Sequence, residues 1–218
     1  MSAASCALLV VGAYLLGSVS WSTMIVRAVQ GLDIRTVGSG NAGASNVLRS
    51  AGGKPAAFVL LLDVAKGAAA VLVSRALAAP PAVIAGTAVA VVLGHVYPVF
   101  FGFRGGKGVA TAAGALGALA PIAMLLGLAV FVAVVCWKRY VSVGSMVTAA
   151  LLPLLVGIGE WAGWAPAGGP WLMAASAVIA ALVIGKHRAN LRRLARGTEP
   201  RLGERLERPG GKGRGGEP

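Results

Sequence analysis

Long apolar runs separated by short polar stretches are the feature of this sequence that most limits its fold. A membrane-spanning helix needs about 20 consecutive apolar residues, and runs of this kind recur along most of the chain. Charged residues make up only 12% of the sequence, about half of their share in soluble domains. These observations predict an all-α, polytopic membrane helix bundle with about seven transmembrane helices. The predicted spans cover residues 6–26, 56–79, 82–101, 109–120, 121–137, 141–159 and 171–185.

The fourth predicted span, residues 109–120, is short and rich in small residues. Pro121 follows it directly, and proline interrupts a helix because it lacks a backbone N–H and clashes with the preceding turn. We therefore expect two helices in this region. The alternative is a single long helix that is kinked at Pro121.

Lysine and arginine residues are concentrated at one end of the predicted spans. Cytoplasmic segments carry an excess of these residues, so seven spans predict an external N-terminus and a cytoplasmic C-terminus. Arg75 alone lies near the opposite end. The residues on the predicted cytoplasmic side are Arg27, Arg35, Arg49, Lys54, Arg104, Lys107, Lys138, Arg139 and the basic C-terminal tail.

The C-terminal region supplies much of the net charge of +13, because ten of the twenty Lys and Arg residues lie from Lys186 onward. Basic segments next to a membrane helix are typical of contact with anionic lipid. We therefore predict membrane lipid, and no nucleic acid, as the partner of this charge. The composition indicates a membrane domain of residues 1–206 and a disordered basic tail of residues 207–218.

Two glycine-rich stretches on the predicted cytoplasmic side carry the strongest functional signal. Residues 38–49 read GSGNAGASNVLR, and residues 102–108 read GFRGGKG. Glycine lets backbone N–H groups approach a ligand closely, and backbone donors together with cations suit a phosphate group. The pattern GxxxxGK[ST] of a P-loop does not fit either stretch. The alternative for residues 102–108 is a short charged turn between membrane helices.

A third polar stretch follows the last predicted span. His187 and Asn190 are three residues apart, so they share a helix face, and His187 could act as a general base. Ser39 could act as a nucleophile, although a hydrogen-bond donor is the favoured role. No metal-binding pattern is found in the sequence, so we expect Arg, Lys and backbone N–H groups to bind phosphate without a metal or other cofactor.

Ionisable residues also occur inside predicted spans. Asp63 and Lys66 are three residues apart and face the same way, and such residues are costly in a membrane unless they pair. We favour a structural ion pair over a direct part in catalysis. His95, near the end of the third span, is more typical of a buried structural histidine than of a base.

The three polar stretches resemble the three motifs of the bacterial acyl-phosphate:glycerol-3-phosphate acyltransferases. The first is GSGNAGASNVLR from Gly38. The second is GHVYPVF from Gly94, continued by GGKGVAT at residues 105–111. The third is HRAN from His187, followed by GTE at residues 197–199. The resemblance extends over residues 10–203, with Ala42 and Ser45 standing where the family more often has Pro and Thr.

The resemblance implies a seven-helix enzyme of the bacterial inner membrane with its active site facing the cytoplasm. It would transfer a fatty acyl group from acyl phosphate to the sn-1 hydroxyl of glycerol 3-phosphate, and would release lysophosphatidic acid and inorganic phosphate. We expect direct transfer without an acyl-enzyme, and a possible partner is the upstream enzyme that forms acyl phosphate. Either His187 or a phosphate oxygen of the substrate would accept the proton of the attacking hydroxyl. The alternative function is transport of phosphorylated metabolites.

The predicted site residues fall into three groups. The catalytic residues are Ser39, His187 and Asn190. The substrate-binding and phosphate-binding residues are Gly38, Gly40, Asn41, Gly43, Asn46, Arg49, Arg104, Gly105, Gly106, Lys107 and Gly108. The supporting residues are Asp63, Lys66, His95 and Glu199, the last on the basis of the resemblance alone.

Overall fold

The structure is a computed structural model, and it describes residues 1–164 and 169–204. The predicted tail, residues 207–218, lies outside the described residues. Within these ranges the chain is helical, as predicted, and no strand is present. The α-helices are α1 (Ala3–Gly17), α2 (Trp21–Gln30), α3 (Ala44–Ala51), α4 (Gly53–Ala76), α5 (Pro81–Val96), α6 (Val109–Leu119), α7 (Pro121–Lys138), α8 (Val141–Trp161), α9 (Gly169–Lys186) and α10 (Arg188–Ala195).

The first predicted span is the main local difference between expectation and structure. The sequence predicts one helix over residues 6–26, and the structure breaks this segment into α1 and α2. At the break, Ser18 Oγ accepts a hydrogen bond from the backbone N–H of Val99 at 3.4 Å. Lys66 Nζ donates to the carbonyl of Val19 at 2.8 Å. Side chains and backbone from distant parts of the chain thus bind the polar groups that the break leaves free.

Six segments of the described chain are long and apolar enough to cross a membrane, judged by length and composition. They are Ala3–Gln30, Gly53–Ala76, Pro81–Phe101, Pro121–Lys138, Val141–Trp161 and Gly169–Lys186. The remaining predicted span is the apolar helix α6, which has 11 residues and is therefore only about 16 Å long. The structure confirms that α6 and α7 are separate helices, whereas the count of seven crossings stays a prediction.

The position of α6 explains how a short helix can reach the far end of the bundle. Gly67, near the middle of α4, packs so closely on α6 that a Cβ there would collide with the carbonyl of Thr111. From this level α6 runs toward the end of α4, where Arg75 donates to the carbonyl of Ala118 at 2.6 Å. Because α6 begins halfway along α4, the second half of the loop before it, residues 105–108, is set into the bundle, whereas residues 102–104 are exposed.

The apolar core lies between α5 and its neighbours. Val91 and Val92 of α5 are fully buried and belong to the same cluster as Leu116 of α6 and Ile179 of α9. α5 packs against α1, α4, α6 and α9. Large apolar side chains such as Leu8, Leu61 and Leu125 are exposed, as expected for side chains that face lipid. The core therefore holds the ends of α5 and α9 side by side, and the polar loops follow directly from these ends.

Candidate active site

The first glycine-rich stretch is a loop that the side chain of Asn46 holds in place. Asn46 is fully buried at the start of α3. Its Oδ1 accepts from the backbone N–H of Ser39 at 3.0 Å, and its Nδ2 donates to the carbonyls of Ile34 and Val37 at 3.2 and 3.0 Å. Both amide hydrogens and the amide oxygen are engaged within the protein. Asn46 therefore shapes the loop, and its predicted part in ligand binding stays a prediction.

Arg49 reaches back over this loop from α3. One of its terminal nitrogens donates to Ser39 Oγ at 3.3 Å, and its Nε is buried without a hydrogen-bond partner. Burial lowers the pKa of Arg49, which the charge of Glu199 partly offsets. An unsatisfied guanidinium N–H next to an exposed serine is suited to an oxyanion. Gly38, Gly40, Asn41 and Gly43 form the rest of this loop.

The second glycine-rich stretch packs directly against the first. The backbone N–H of Gly106 donates to the carbonyl of His95 at 3.1 Å. A Cβ on Gly106 would collide with the His95 ring and with the carbonyl of Ala42 in the first loop. Glycine at this position therefore allows the two loops to meet. Gly105 and Gly108 flank the contact, so the structure brings these predicted residues together.

Arg35 links the segments that immediately precede the two stretches. It forms an ion pair with Asp33 at 2.6 Å and donates to the carbonyl of Phe101 at 2.8 Å. Arg104 behaves differently from the other predicted cations, because its side chain is exposed. No hydrogen bond or ion pair among residues 1–164 and 169–204 joins Arg104 to the site, so the structure gives no support for its predicted contact with phosphate.

Lys107 is a half-buried amine among other charges. Burial lowers its pKa to about 8, the carboxylate of Glu199 opposes this change, and the cations Arg193 and Arg49 reinforce it. The first loop, the second loop and the C-terminal stretch thus contribute charges to one small region. An anion bound there would raise the pKa of this amine and stabilise its charged form.

His187 follows α9 and is 2% exposed. Its Nδ1 lies 2.7 Å from the carbonyl of Val183, and a carbonyl can only accept, so Nδ1 carries the proton. Burial lowers the pKa of His187 to about 4, and the cation of Lys107 contributes in the same direction. The imidazole is therefore neutral at pH 7, and its Nε2 is available as a hydrogen-bond acceptor.

Asn190 is held in one orientation by Glu199. Its Nδ2 donates to Glu199 Oε1 at 2.6 Å, whereas its Oδ1 is buried without a hydrogen-bond partner. Ser142 donates to the same carboxylate oxygen at 2.6 Å, and Arg193 Nε donates to Oε2 at 2.8 Å. Although burial raises the pKa of Glu199, these three hydrogen bonds hold it below its ordinary value. The amide therefore has an unpaired acceptor in Oδ1, and Nδ2 keeps a second N–H that can still donate.

Ser142 and Arg193 are site residues that the sequence reasoning missed. Ser142 is the second residue of α8 and follows Arg139 by three residues, on the same predicted side as the three polar stretches. Arg193 lies one turn after Asn190 in α10. Position relative to the predicted membrane surface is the signal that could have identified both residues.

The predicted ion pair within α4 is confirmed. Lys66 Nζ lies 2.8 Å from Asp63 Oδ1, and both side chains are 2% exposed. His95 Nδ1 lies 3.4 Å from the same oxygen. The described residues contain no group of three or more His, Cys, Asp or Glu side chains that could hold a metal ion.

The sequence model of one protein family matches most of the chain. The family is described as glycerol-3-phosphate acyltransferase, and the match covers residues 7–197. A relative of the same name from Halalkalibacterium halodurans is 43% identical over 203 residues, which are 92% of this chain and 97% of that protein. The relative of this name from Geotalea daltonii is 47% identical over 191 residues, covering 88% and 94% of the two chains.

Two solved structures share the fold. Both are described as crystal structures of PlsY (YgiH), an integral membrane glycerol 3-phosphate acyltransferase. The glycerol 3-phosphate form superposes with a TM-score of 0.83 at 42% identity, and the match covers 91% of this chain and 96% of that one. The lysophosphatidic acid form gives a TM-score of 0.79 at 40% identity with the same coverage.

Proposed function

The chain belongs to the glycerol-3-phosphate acyltransferase family of integral membrane enzymes, and we propose that its acyl donor is an acyl phosphate. The acyl group would pass to the sn-1 hydroxyl of glycerol 3-phosphate, giving lysophosphatidic acid and inorganic phosphate. Family membership gives the reaction class, so the alternative of a transporter is not retained. The cluster of Arg49, Lys107 and the two glycine loops is the observation that supports acyl phosphate as the acyl donor. It offers cations and backbone N–H groups to phosphate groups.

Direct transfer requires only that two phosphorylated substrates meet at this cluster. The attacking hydroxyl oxygen forms a bond to the acyl carbonyl carbon, and the bond between that carbon and the phosphate oxygen breaks. The phosphate leaves with the bonding electrons and accepts the hydroxyl proton. Because acyl phosphate is already activated, a covalent intermediate on Ser39 would add a step without an energetic gain. We propose that Ser39 and the first loop hold the donor.

His187 and Asn190 would orient the attacking hydroxyl in this scheme. His187 Nε2 and Asn190 Oδ1 are both acceptors, and a hydroxyl hydrogen can bond to either of them. A general base works best when its pKa is near the working pH, whereas the pKa of His187 is about 4. A phosphate oxygen, with a second pKa near 6, is the better proton acceptor. We therefore favour the phosphate oxygen over His187 as the base.

A donor comparison with purified protein tests the proposed function. Acyl phosphate, acyl-CoA and acyl carrier protein of matched chain length would each be supplied with labelled glycerol 3-phosphate. We expect labelled lysophosphatidic acid with acyl phosphate alone, together with one equivalent of inorganic phosphate. Equal rates with acyl-CoA would show that the donor is wrongly assigned.

The pH dependence of kcat/KM should reflect the ionisation of Lys107. Above pH 8 the amine of the free enzyme loses its proton and with it the attraction for phosphate, so kcat/KM for glycerol 3-phosphate should fall about tenfold per pH unit. Lys107→Arg should remove this alkaline limb because guanidinium stays charged. Below pH 8 both enzymes should show the same dependence on pH. An alkaline limb that persists in Lys107→Arg would contradict the assignment.

We also expect seven membrane crossings. The enzyme would lie in the bacterial inner membrane, with its active site facing the cytoplasm. The return of α7 to the site end supports seven crossings. There the backbone N–H of Leu202 donates to the carbonyl of Arg139 at 2.6 Å, and the Arg139 side chain donates to the carbonyl of Leu202 at 3.0 Å. Reporter fusions at the two ends should place the N-terminus outside and the C-terminus in the cytoplasm. Both ends on one side would contradict this placement. The upstream acyl-phosphate-forming enzyme remains a proposed partner.

A further inference from the structure

A network of buried polar contacts connects the broken first span with both glycine loops. It starts at the carbonyl of Val19, in the break between α1 and α2, which accepts from Lys66. Lys66 pairs with Asp63 on α4, and His95 Nδ1 on α5 lies 3.4 Å from the same carboxylate oxygen. These contacts lie inside the bundle, and none of the three ionisable side chains is more than 7% exposed.

The far end of this network lies between the two loops. The His95 ring and the carbonyl of Ala42 both occupy the space in which a side chain at position 106 would lie, and Nε2 is the ring atom nearest to that position. The His95 carbonyl also accepts from the backbone N–H of Gly106. Ala42 is 1% exposed. His95 is therefore packed against the backbone of the loop that precedes Arg49 and of the loop that contains Lys107.

Stability alone does not explain these charges. Replacing a buried ion pair with apolar residues of similar size is often neutral or stabilising, because desolvation of the charges offsets their attraction. Most other residues of α4 and α5 are apolar, the buried pair Ser74 and Thr87 being an exception, so an apolar pair would pack there as well. Ionisable residues at this depth in a membrane protein are usually functional. The contacts indicate that their function is to fix the position of the loops.

We propose that Asp63, Lys66 and His95 are positioning residues, which together hold the two glycine loops in the register that acyl transfer requires. The three residues act through backbone atoms of Val19, Ala42 and Gly106 and do not touch the substrate. This inference rests on the proposed function, in that the two loops are taken to bind the two phosphorylated substrates.

The double variant Asp63→Leu/Lys66→Met tests the proposal, because it removes both charges and keeps the apolar volume. We expect its melting temperature in detergent to equal or exceed that of the wild type, while kcat/KM falls at least tenfold. His95→Leu, which leaves the ion pair intact, should show the same loss. Amide hydrogen exchange of residues 38–49 and 102–108 should become faster in both variants.

A matched control is available at the other end of the same two helices. Ser74 of α4 and Thr87 of α5 are fully buried and hydrogen bonded at 3.1 Å. Ser74→Ala/Thr87→Val removes a buried polar pair from the α4–α5 contact without touching the loops, so its kcat/KM should stay within about twofold of the wild type. Equal losses in the control and the double variant would overturn the proposal, as would a double variant with unchanged kinetics and loop exchange.

Hydrogen exchange separates this inference from the proposed function, because it does not depend on the reaction. If the wild type used a different acyl donor, faster exchange confined to the two loops would still support the positioning role. If the wild type used acyl phosphate as proposed and loop exchange did not change in the variants, only the positioning role would be lost.

Discussion

Replacing Arg49 with alanine should lower kcat/KM by roughly tenfold to a hundredfold, with the enzyme still folded. The side chain combines a bond to Ser39 with a buried Nε that has no partner, so a phosphate oxygen would complete its hydrogen bonds. A hydrogen bond to a charged group contributes about 1.5–3 kcal/mol, and each 1.4 kcal/mol corresponds to a factor of ten. Steady-state kinetics with each substrate varied in turn would identify the phosphate concerned.

Two further variants make the Arg49 measurement specific. Arg49→Lys keeps the charge and loses the planar fork, so we expect activity between those of alanine and arginine. Lys54→Ala removes a nearby exposed cation that has no part in the cluster, and should leave kcat/KM unchanged. An Arg49→Ala enzyme with wild-type kinetics for both substrates would rule out phosphate binding by this residue.

Replacing His187 with alanine should lower kcat by about a hundredfold or more. The buried imidazole offers one acceptor nitrogen next to the cluster, and its loss would leave the attacking hydroxyl without orientation. Misplacing a reacting group by about 1 Å can cost about a hundredfold in rate. Rates under saturating substrates, together with a melting curve to show that the variant is folded, would provide the measurement.

His187→Gln distinguishes orientation from base catalysis. Glutamine offers an amide oxygen as a hydrogen-bond acceptor, but it cannot take up a proton in this pH range. If His187 only orients the hydroxyl, we expect this variant to retain a substantial part of kcat, with the pH profile of the wild type. If His187 is the base, kcat would fall as far as in the alanine variant, and the acid limb that belongs to His187 would disappear.

Much of the architecture was predictable because it depends on local composition. The apolar runs predicted the long helices, and Pro121 separates α6 from α7 as expected. Glycine-rich and basic stretches at corresponding ends of the spans indicated that residues 38–49, 102–108 and 187–190 would meet. The contact of Gly106 with His95 and Ala42, and the shared charge environment of Lys107, Arg49 and Glu199, agree with that expectation.

The features that were not predictable depend on partners far away in the sequence. The first span breaks at Ser18 and Val19, whose hydrogen-bond partners are 81 and 47 residues away, and average hydropathy carries no information on them. Asn46 looks like a ligand-binding amide until its three internal bonds are known. Arg104 differs from Lys107 in exposure, which follows from the depth of the loop and not from residue type.

Rapid-quench mass spectrometry of the intact protein distinguishes direct acyl transfer from an acyl-enzyme. The purified enzyme would be mixed with acyl phosphate, with and without glycerol 3-phosphate, and quenched in acid at times shorter than one turnover. For direct transfer we expect an unmodified protein mass at every time, and lysophosphatidic acid only when glycerol 3-phosphate is present. An added acyl mass that maps to Ser39, and disappears when glycerol 3-phosphate is supplied, would contradict it.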